Sequence, residues 1–395
     1  MKKPETLQGI ISTNRKGMGF MKNPQDVEND IVVSVGSLNT ALNGDNVEVK
    51  LGAINQYKQQ TAEVVRVIER KRDMFVCVID SKDGVLTAYP EDKKAYASIR
   101  LSPADITKVS IGDKVYVKME EWTNPKENPK GTIIRILGKK GDNNVEMESI
   151  VLERGFDVGF PAGVEKEADE IERNKIADIA KEIPKRKDFR GTLTFTIDPF
   201  DAKDFDDAIS FKDLGAGKYE IGVHIADVSH YVIEGSALDK EALKRGCSIY
   251  LVDRTIPMLP EVLSNDVCSL NPLEDKLTFS AWFVMDDKGH IHERGFGKTI
   301  INSDHRFTYE DAQEVLNAKS GKYFNELNTL NTIAKILQKE KFNKGAIEFE
   351  QEEIKFKLDE NGKPIGVYKK ERLDTHKLVE EYMLLANREV AKHIF

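Results

Sequence analysis

Between Ile197 and Ser210 the chain reads IDPFDAKDFDDAIS, which places Asp198, Asp204, Asp206 and Asp207 within ten residues. TLTFTI before the run and AISF after it are both patterned as buried strands. Two ionised carboxylates about 5 Å apart repel by about 3 kcal/mol at an effective dielectric of about 20. Four of them stay ionised together only beside a cation; otherwise some take up protons. Hard oxygen donors in this number suit Mg²⁺, with Mn²⁺ as a substitute, and leave positions for water and a substrate phosphate. The chemistry implied is phosphoryl transfer to water, at one or two metal ions held by Asp198, Asp204, Asp206 and Asp207. A calcium loop does not fit, because starting it at Asp204 puts Ala208 and Ile209 where a ligand and the obligatory glycine belong. Asp201 and Asp213 read as turn residues.

Two further stretches follow, YEIGVHIADVSHYV (219–232) and GCSIYLVDRTIPMLPEVLSNDVCSLNP (246–272). The first reads as a buried strand over Tyr219–Val228. Its His224 is a single histidine on an apolar strand, which reads as a core residue ahead of a metal ligand, and His230 is undecided. In the second, Tyr250 ends a strand just before a loop containing Pro257 and Pro260, a position from which a ring faces a cleft.

Taken in order with the aspartate run, these stretches resemble the RNB family of 3′→5′ exoribonucleases, its ribonuclease R branch more than its ribonuclease II branch. The likeness runs through the whole chain. It implies a hydrolytic, processive, metal-dependent exoribonuclease that degrades single-stranded RNA from a free 3′ end to nucleoside 5′-monophosphates. It makes Asp206 the carboxylate whose loss most damages chemistry, and it assigns Tyr250 to stacking on the 3′-terminal nucleotide. Phe349, in GAIEFEQEE, is implied as the second ring of that clamp, and Tyr309, in HRFTYEDA, as a further RNA contact. Glu381, in the EE pair, matches an acidic residue near the family's active site. The alternative reading is a catalytically impaired RNA-binding fragment, and an endonuclease or DNA nuclease using the same carboxylates is a third.

The elements that must position these residues are legible in outline. A chain of 395 residues holds two or three domains, each with its own core. It contains no apolar run of about 18 residues, and its MKKPETLQG start lacks a signal core, so a cytoplasmic monomer with no membrane partner is expected. Cys77, Cys247 and Cys268 lie far apart, which suits neither a disulfide framework nor a zinc site and reads as three small core residues. Residues 1–140 carry 23 Lys and Arg against 18 Asp and Glu, while the remainder carries 36 against 49. The basic part is the expected polyanion-binding region and the acidic part holds the metal site.

GDNVEVK at 44–50 recurs as GDKVYVK at 112–118, and VVRVI at 64–68 recurs as IIRIL at 133–137. Two patterns repeating at nearly constant spacing imply two copies of one small β unit, with Val47, Val49 and Leu51, or Val115, Val117 and Met119, facing inward. Their size fits OB-type barrels, which often bind single-stranded nucleic acid. IISTNRKGMGFMKN (10–23) resembles the nucleic-acid-binding strand of cold-shock domains, which assigns Lys16 and Lys22 to phosphates and Phe20 to stacking, with a core position the rival for Phe20. Met18 and Ile31 stand where that pattern has rings.

The fold class expected is thus multidomain: two all-β OB-type, cold-shock-like barrels (1–70 and 71–150), a linker and helix (151–190), and an α+β RNB catalytic domain (191–395), incomplete at its C-terminus. The helix at 163–184 packs Ala168, Ile171, Ile176, Ile179 and Ile183 inward, and Lys185, Arg186 and Lys187 follow as a linker or an RNA contact. The last segment, 376–395, is an amphipathic helix with Leu378, Tyr382, Leu385, Val390 and Ile394 near one face and no cap. Its apolar stripe is expected to lack partners, as in a chain interrupted within the catalytic domain.

Overall fold

The computed structural model describes residues 6–24, 26–82, 84–347, 352–360 and 362–395. The chain divides into two compact units, residues 1–159 and 160–395.

The first unit holds both copies of the repeat. Strands β1 (Thr6–Thr13), β2 (Gly19–Met21), β3 (Ile31–Val33), β4 (Asn46–Ile54) and β5 (Gln60–Glu69) close into a barrel in the order β1-β2-β3-β5-β4. Val47 and Val49 are fully buried beside Ile11, Ile31, Val33 and Leu38, while Leu51 is half-buried. Gly19 is required here, because a Cβ would stand 2.8 Å from both Ile11 and Leu38.

The second copy is β6 (Met74–Lys82), β7 (Val85–Pro90), β8 (Arg100–Leu101), β9 (Asp113–Met119) and β10 (Lys130–Lys139), in the order β7-β6-β9-β10-β8. A bridge between Ala88 and Ile99 joins its two edges, so this sheet too curls into a barrel. The repeated sequence patterns fall on β4 with β5 and on β9 with β10, antiparallel neighbours in each copy. Val115, Val117 and Met119 point inward as the alternation requires. Short helix α1 (Pro103–Ile106) and helix α2 (Asn143–Glu153) complete the unit.

The second unit is built on a seven-stranded sheet. Helix α3 (Ala162–Glu182) leads into β11 (Lys187–Asp188), β12 (Thr194–Asp198), β13 (Asp207–Gly215) and β14 (Lys218–Ala226). Helices α4 (Val228–Tyr231) and α5 (Ala237–Arg245) and a small hairpin of β15 (Ile249–Tyr250) and β16 (Thr255–Ile256) come next. Then follow β17 (Asp275–Asp286), β18 (Ile291–Asn302), β19 (His305–Thr308), α6 (Tyr309–Ala318), α7 (Phe324–Asn343), a hairpin of β20 (Ile354–Leu358) and β21 (Pro364–Lys369), and α8 (Asp374–Ile394). The sheet order is β11-β18-β17-β14-β13-β12-β19.

Both faces of the sheet are covered, which explains its near-continuous apolar strands. Phe195, Ile209, Ile221, Val223 and Phe283 meet α7 and α8 through Leu330, Leu378 and Tyr382. The opposite face carries Phe205, Ala208, Leu277 and Ile300 against α3, α5 and a π-helical turn at Val262–Val267. Among the described residues no helix is long and apolar enough to cross a membrane.

Several expectations are corrected. The stripe on α8 is not left bare: Leu378, Tyr382 and Leu385 are buried, with the Tyr382 hydroxyl donating to Leu330 O at 3.1 Å, while Ile394 and Phe395 stay exposed. Ile176 of α3 is 79 % exposed, because the helix turns that flank to solvent. Arg186 is no linker residue; its guanidinium is buried between Glu182 and Asp227. Cys77 and Cys268 are buried but Cys247 is exposed. His224 is a core residue, and its two ring nitrogens meet the Ser280 and Ser210 hydroxyls at 2.7 and 2.8 Å. Burial lowers its pKa to about 3, so the ring is neutral.

Candidate active site

Strand β12 is buried along its length and ends on Asp198. The chain then leaves the sheet through Pro199, which has no N–H to donate, and returns as β13 at Asp207. Because β12 and β13 pair antiparallel, Asp198 and Asp207 stand at the same end of the sheet, and the loop between them carries Asp204 and Asp206.

The four carboxylates differ in surroundings. Asp198 is 8 % exposed, and its Oδ2 is buried with no hydrogen-bond partner, as is Oγ1 of Thr196 on the same strand face. Burial drives the Asp198 carboxyl up to about 7; the neighbouring Thr196 hydroxyl and the charge of Arg306 oppose the rise, and the charges of Asp207 and Asp204 add to it. Asp207 is half-buried, and its carboxyl is pushed up to about 6 by desolvation, then by Asp206. Asp206 is open to solvent on one side, yet the protein around it and the charge of Asp204 raise it as well. The group is short of positive charge.

Donor chemistry therefore fits a hard divalent cation: oxygen ligands, uncompensated charge and an orphaned buried oxygen. The compact cage expected from sequence is not drawn together, however. Among the described residues, no three His, Cys, Asp or Glu side chains are grouped as a metal-holding set. Mg²⁺ is commonly bound by one or two carboxylates completed by water and substrate phosphate.

Two rings border the carboxylates. Tyr250, at the end of β15, is 70 % exposed, and its phenol is raised by partial burial and by neighbouring Asp204 and Asp206. Tyr309 opens α6 directly after β19, which pairs with β12 in the register Asp198–Thr308. That register brings Tyr309 beside the site: burial pushes its phenol up to about 12, with Asp207 and Asp198 adding to the shift. The His376 ring stacks on it at 3.9 Å between centroids, and Thr375 Oγ1 donates to Tyr309 O at 2.9 Å.

The other sequence candidates lie elsewhere or outside the description. Glu381, expected as an RNA contact, is instead 4 % exposed and meets the half-buried Lys341 of α7 at 2.5 Å, within the helical layer. Phe349 lies outside the described residues. On the first barrel Phe20 is half-buried between inward Gly19 and Met21, so its ring takes the outer face. Lys16 is exposed in the turn before it. Lys22 pairs with Asp30 at 3.0 Å.

Sequence reasoning missed Ser269 and Arg306. Ser269 Oγ donates to Lys203 O at 2.8 Å and accepts from Phe205 N at 3.0 Å. Arg306 Nη2 donates to Pro199 O at 2.7 Å and Phe200 O at 2.8 Å. The available signals were the NDVCSLNP stretch and a charged residue inside a short strand.

Family comparisons agree with this layout. The Ribonuclease B OB domain matches residues 9–67 and the cold shock domain residues 89–161, so the cold-shock likeness expected at 10–23 falls on the second barrel. Ribonuclease R of Thermotoga maritima is 36 % identical over 97 % of this chain and 54 % of its own length. Ribonuclease R of Aquifex aeolicus is 33 % identical over 99 % of this chain and 55 % of its own. The chain thus spans about half the length of these relatives. The structure of Mycoplasma genitalium RNase R in complex with ribose-methylated single-stranded RNA superposes with a TM-score of 0.85 at 27 % identity, covering 98 % of this chain and 62 % of that one. The RNB domain itself matches residues 186–395, which is more than half of the sequence and contains the whole carboxylate loop with both rings; the chain belongs to the RNB family.

Proposed function

We propose that this chain carries the catalytic carboxylates of a hydrolytic, processive, Mg²⁺-dependent 3′→5′ exoribonuclease, with Mn²⁺ as a substitute, that releases nucleoside 5′-monophosphates. The observation that carries the reading is Asp198: a buried carboxylate with an unpartnered oxygen, in a cluster of like charges beside an exposed tyrosine. When bound, the divalent ion supplies Lewis-acid activation of water and neutralises charge on the phosphate.

The remaining roles belong to the chain's own side chains. Asp198 and Asp207 hold from the sheet, while Asp204 and Asp206 reach from the loop on the open side. Tyr250 stacks on the terminal base, a contact that tolerates any sequence because every base has a π-face. Tyr309, held by His376 and Thr375, lines the approach. Selectivity for RNA comes from the 2′-OH. The Mycoplasma genitalium structures with single-stranded and with double-stranded RNA support RNA as the substrate class, and a single strand with a free 3′ end suits stacking of a terminal base. The barrels, through Lys16 and Phe20, add affinity for the strand. The working form is a cytoplasmic monomer.

A 5′-labelled single-stranded RNA tests the reading. Products receding from the 3′ end by single nucleotides support it. Internal bands mean an endonuclease. A mobility shift without products means an RNA-binding fragment that is catalytically impaired.

A further inference from the structure

The loop that carries the carboxylates has little regular structure of its own. Between β12 and β13 one turn bond closes inside it, Ala202 N to Pro199 O at 3.1 Å. Four aspartates that repel one another on such a loop should spread, yet a metal site needs their oxygens fixed within fractions of an ångström. Two side chains from distant parts of the sequence restrain it.

At the far end of the loop, Ser269 is 1 % exposed and its hydroxyl does two jobs. It donates to Lys203 O and accepts from Phe205 N, so one side chain grips both peptides flanking Asp204. The next residue continues the grip, with Leu270 N donating to Phe205 O at 2.9 Å. Ser269 is delivered by the π-helical turn, where Cys268 N bonds back five residues to Leu263 O at 2.8 Å; such turns often occur at functional sites.

At the near end, Arg306 sits on β19 opposite Thr196 of β12. One nitrogen of its guanidinium spans the carbonyls of Pro199 and Phe200, the two residues after Asp198. The same group lies over the Phe205 ring, 5.2 Å from the centroid, and so links the start of the loop to the residue between Asp204 and Asp206. Arg306 also acts electrostatically on Asp198, whose Oδ2 is buried without a hydrogen-bond partner.

We propose that Ser269 and Arg306 are positioning residues that clamp the two ends of the loop and so set the spacing of the carboxylates for a divalent cation. This rests on the metal-dependent reading above. Neither side chain is a ligand; each acts through the backbone of the residues beside the ligands. The opposing view is that both merely satisfy polar groups of a buried loop, in which case their loss lowers stability and leaves cation affinity alone.

The variants are Ser269→Ala, which removes the hydroxyl at nearly constant volume, and Arg306→Lys, which keeps the charge and loses the planar fork. Mn²⁺ alone is titrated into the full chain without RNA, with its binding read by electron paramagnetic resonance. Thermal midpoint and amide exchange over residues 199–206 are measured in parallel. We expect Mn²⁺ affinity to fall about 10–100-fold in each variant, the usual effect of losing a partner that orients a metal ligand. Amide exchange across the loop should quicken, and free guanidinium added to an Arg306→Ala chain should restore part of the affinity. Wild-type affinity in both variants overturns the proposal, whatever happens to the midpoint. Asp206→Asn separates this from failure of the underlying reading. If that change also leaves Mn²⁺ binding intact, the metal site has been misassigned, and the clamp then stands or falls on loop exchange alone.

Discussion

Asp198→Asn should make the cation-free protein more stable at neutral and alkaline pH, although it deletes a residue placed in the catalytic set. The folded-state pKa of Asp198 is about 7, against an ordinary value of 3.8. A carboxyl raised in this way is penalised only when ionised. The penalty is absent below the ordinary pKa, grows as pH rises from about 4, and is fully present above about 7. Three pKa units correspond to about 4 kcal/mol. Asparagine removes the charge, but its amide takes over a buried position with an unpartnered atom, at a cost of about 1–3 kcal/mol. The net gain is about 1–3 kcal/mol above pH 7, and a gain of about 2 kcal/mol moves the midpoint by about 4–8 °C for a unit of this size.

The assay is a set of thermal melts of wild type and Asp198→Asn in EDTA at pH 5 and pH 8. Wild type should lose stability from pH 5 to pH 8, more than Asp198→Asn does, and Asp207, raised to about 6, contributes in the same sense over the lower part of that range. The two carboxyls interact, so their effects are not additive. Adding Mg²⁺ at pH 8 should raise the wild-type midpoint, since a ligand that binds only the native state stabilises it, and raise that of Asp198→Asn less. A variant that melts below wild type in EDTA at pH 8 would refute the reasoning, because Asp198 would then not be a desolvated, uncompensated charge.

Other consequences are open to direct measurement. Asp206→Asn should abolish RNA hydrolysis while leaving RNA affinity within a few-fold, as it removes one charge at constant shape; wild-type cleavage by an otherwise active preparation rules out the assignment. Ca²⁺ should bind without supporting turnover, because its longer and looser coordination positions phosphate poorly. Tyr250→Ala should weaken the hold on the last nucleotide by about 1–3 kcal/mol and change the length of the final product; an unaltered end-product pattern removes Tyr250 from the clamp. Glu381→Ala should destabilise the second unit by about 1–3 kcal/mol, because it removes a charged hydrogen bond to Lys341, which keeps solvent and Glu380 at 3.6 Å, and should leave the RNA affinity of folded protein unchanged.

What the sequence disclosed depended on how far apart the interacting residues lie along it. The carboxylates fall within one short loop, so their clustering could be read from a single line of sequence, and the barrels announced themselves because β4 and β9 repeat a local alternation. The clamps could not be read. Arg306 reaches Pro199 across 107 residues and Ser269 reaches Phe205 across 64, and no local pattern encodes such a pairing. Tyr309 comes beside the carboxylates through the β12–β19 register, which is set by the sheet as a whole and is not visible in the local sequence. Glu381 is different, since local information was there to be used. It stands three residues after Leu378 and four before Leu385, on the same helical face, so the geometry that buried those leucines also had to bury Glu381. A carboxylate on an apolar stripe demands a cation beside it, and α7 supplies one in the half-buried Lys341. Helical spacing outweighed motif position there, and it gives the sounder first reading wherever a charged residue falls on the apolar face of a helix.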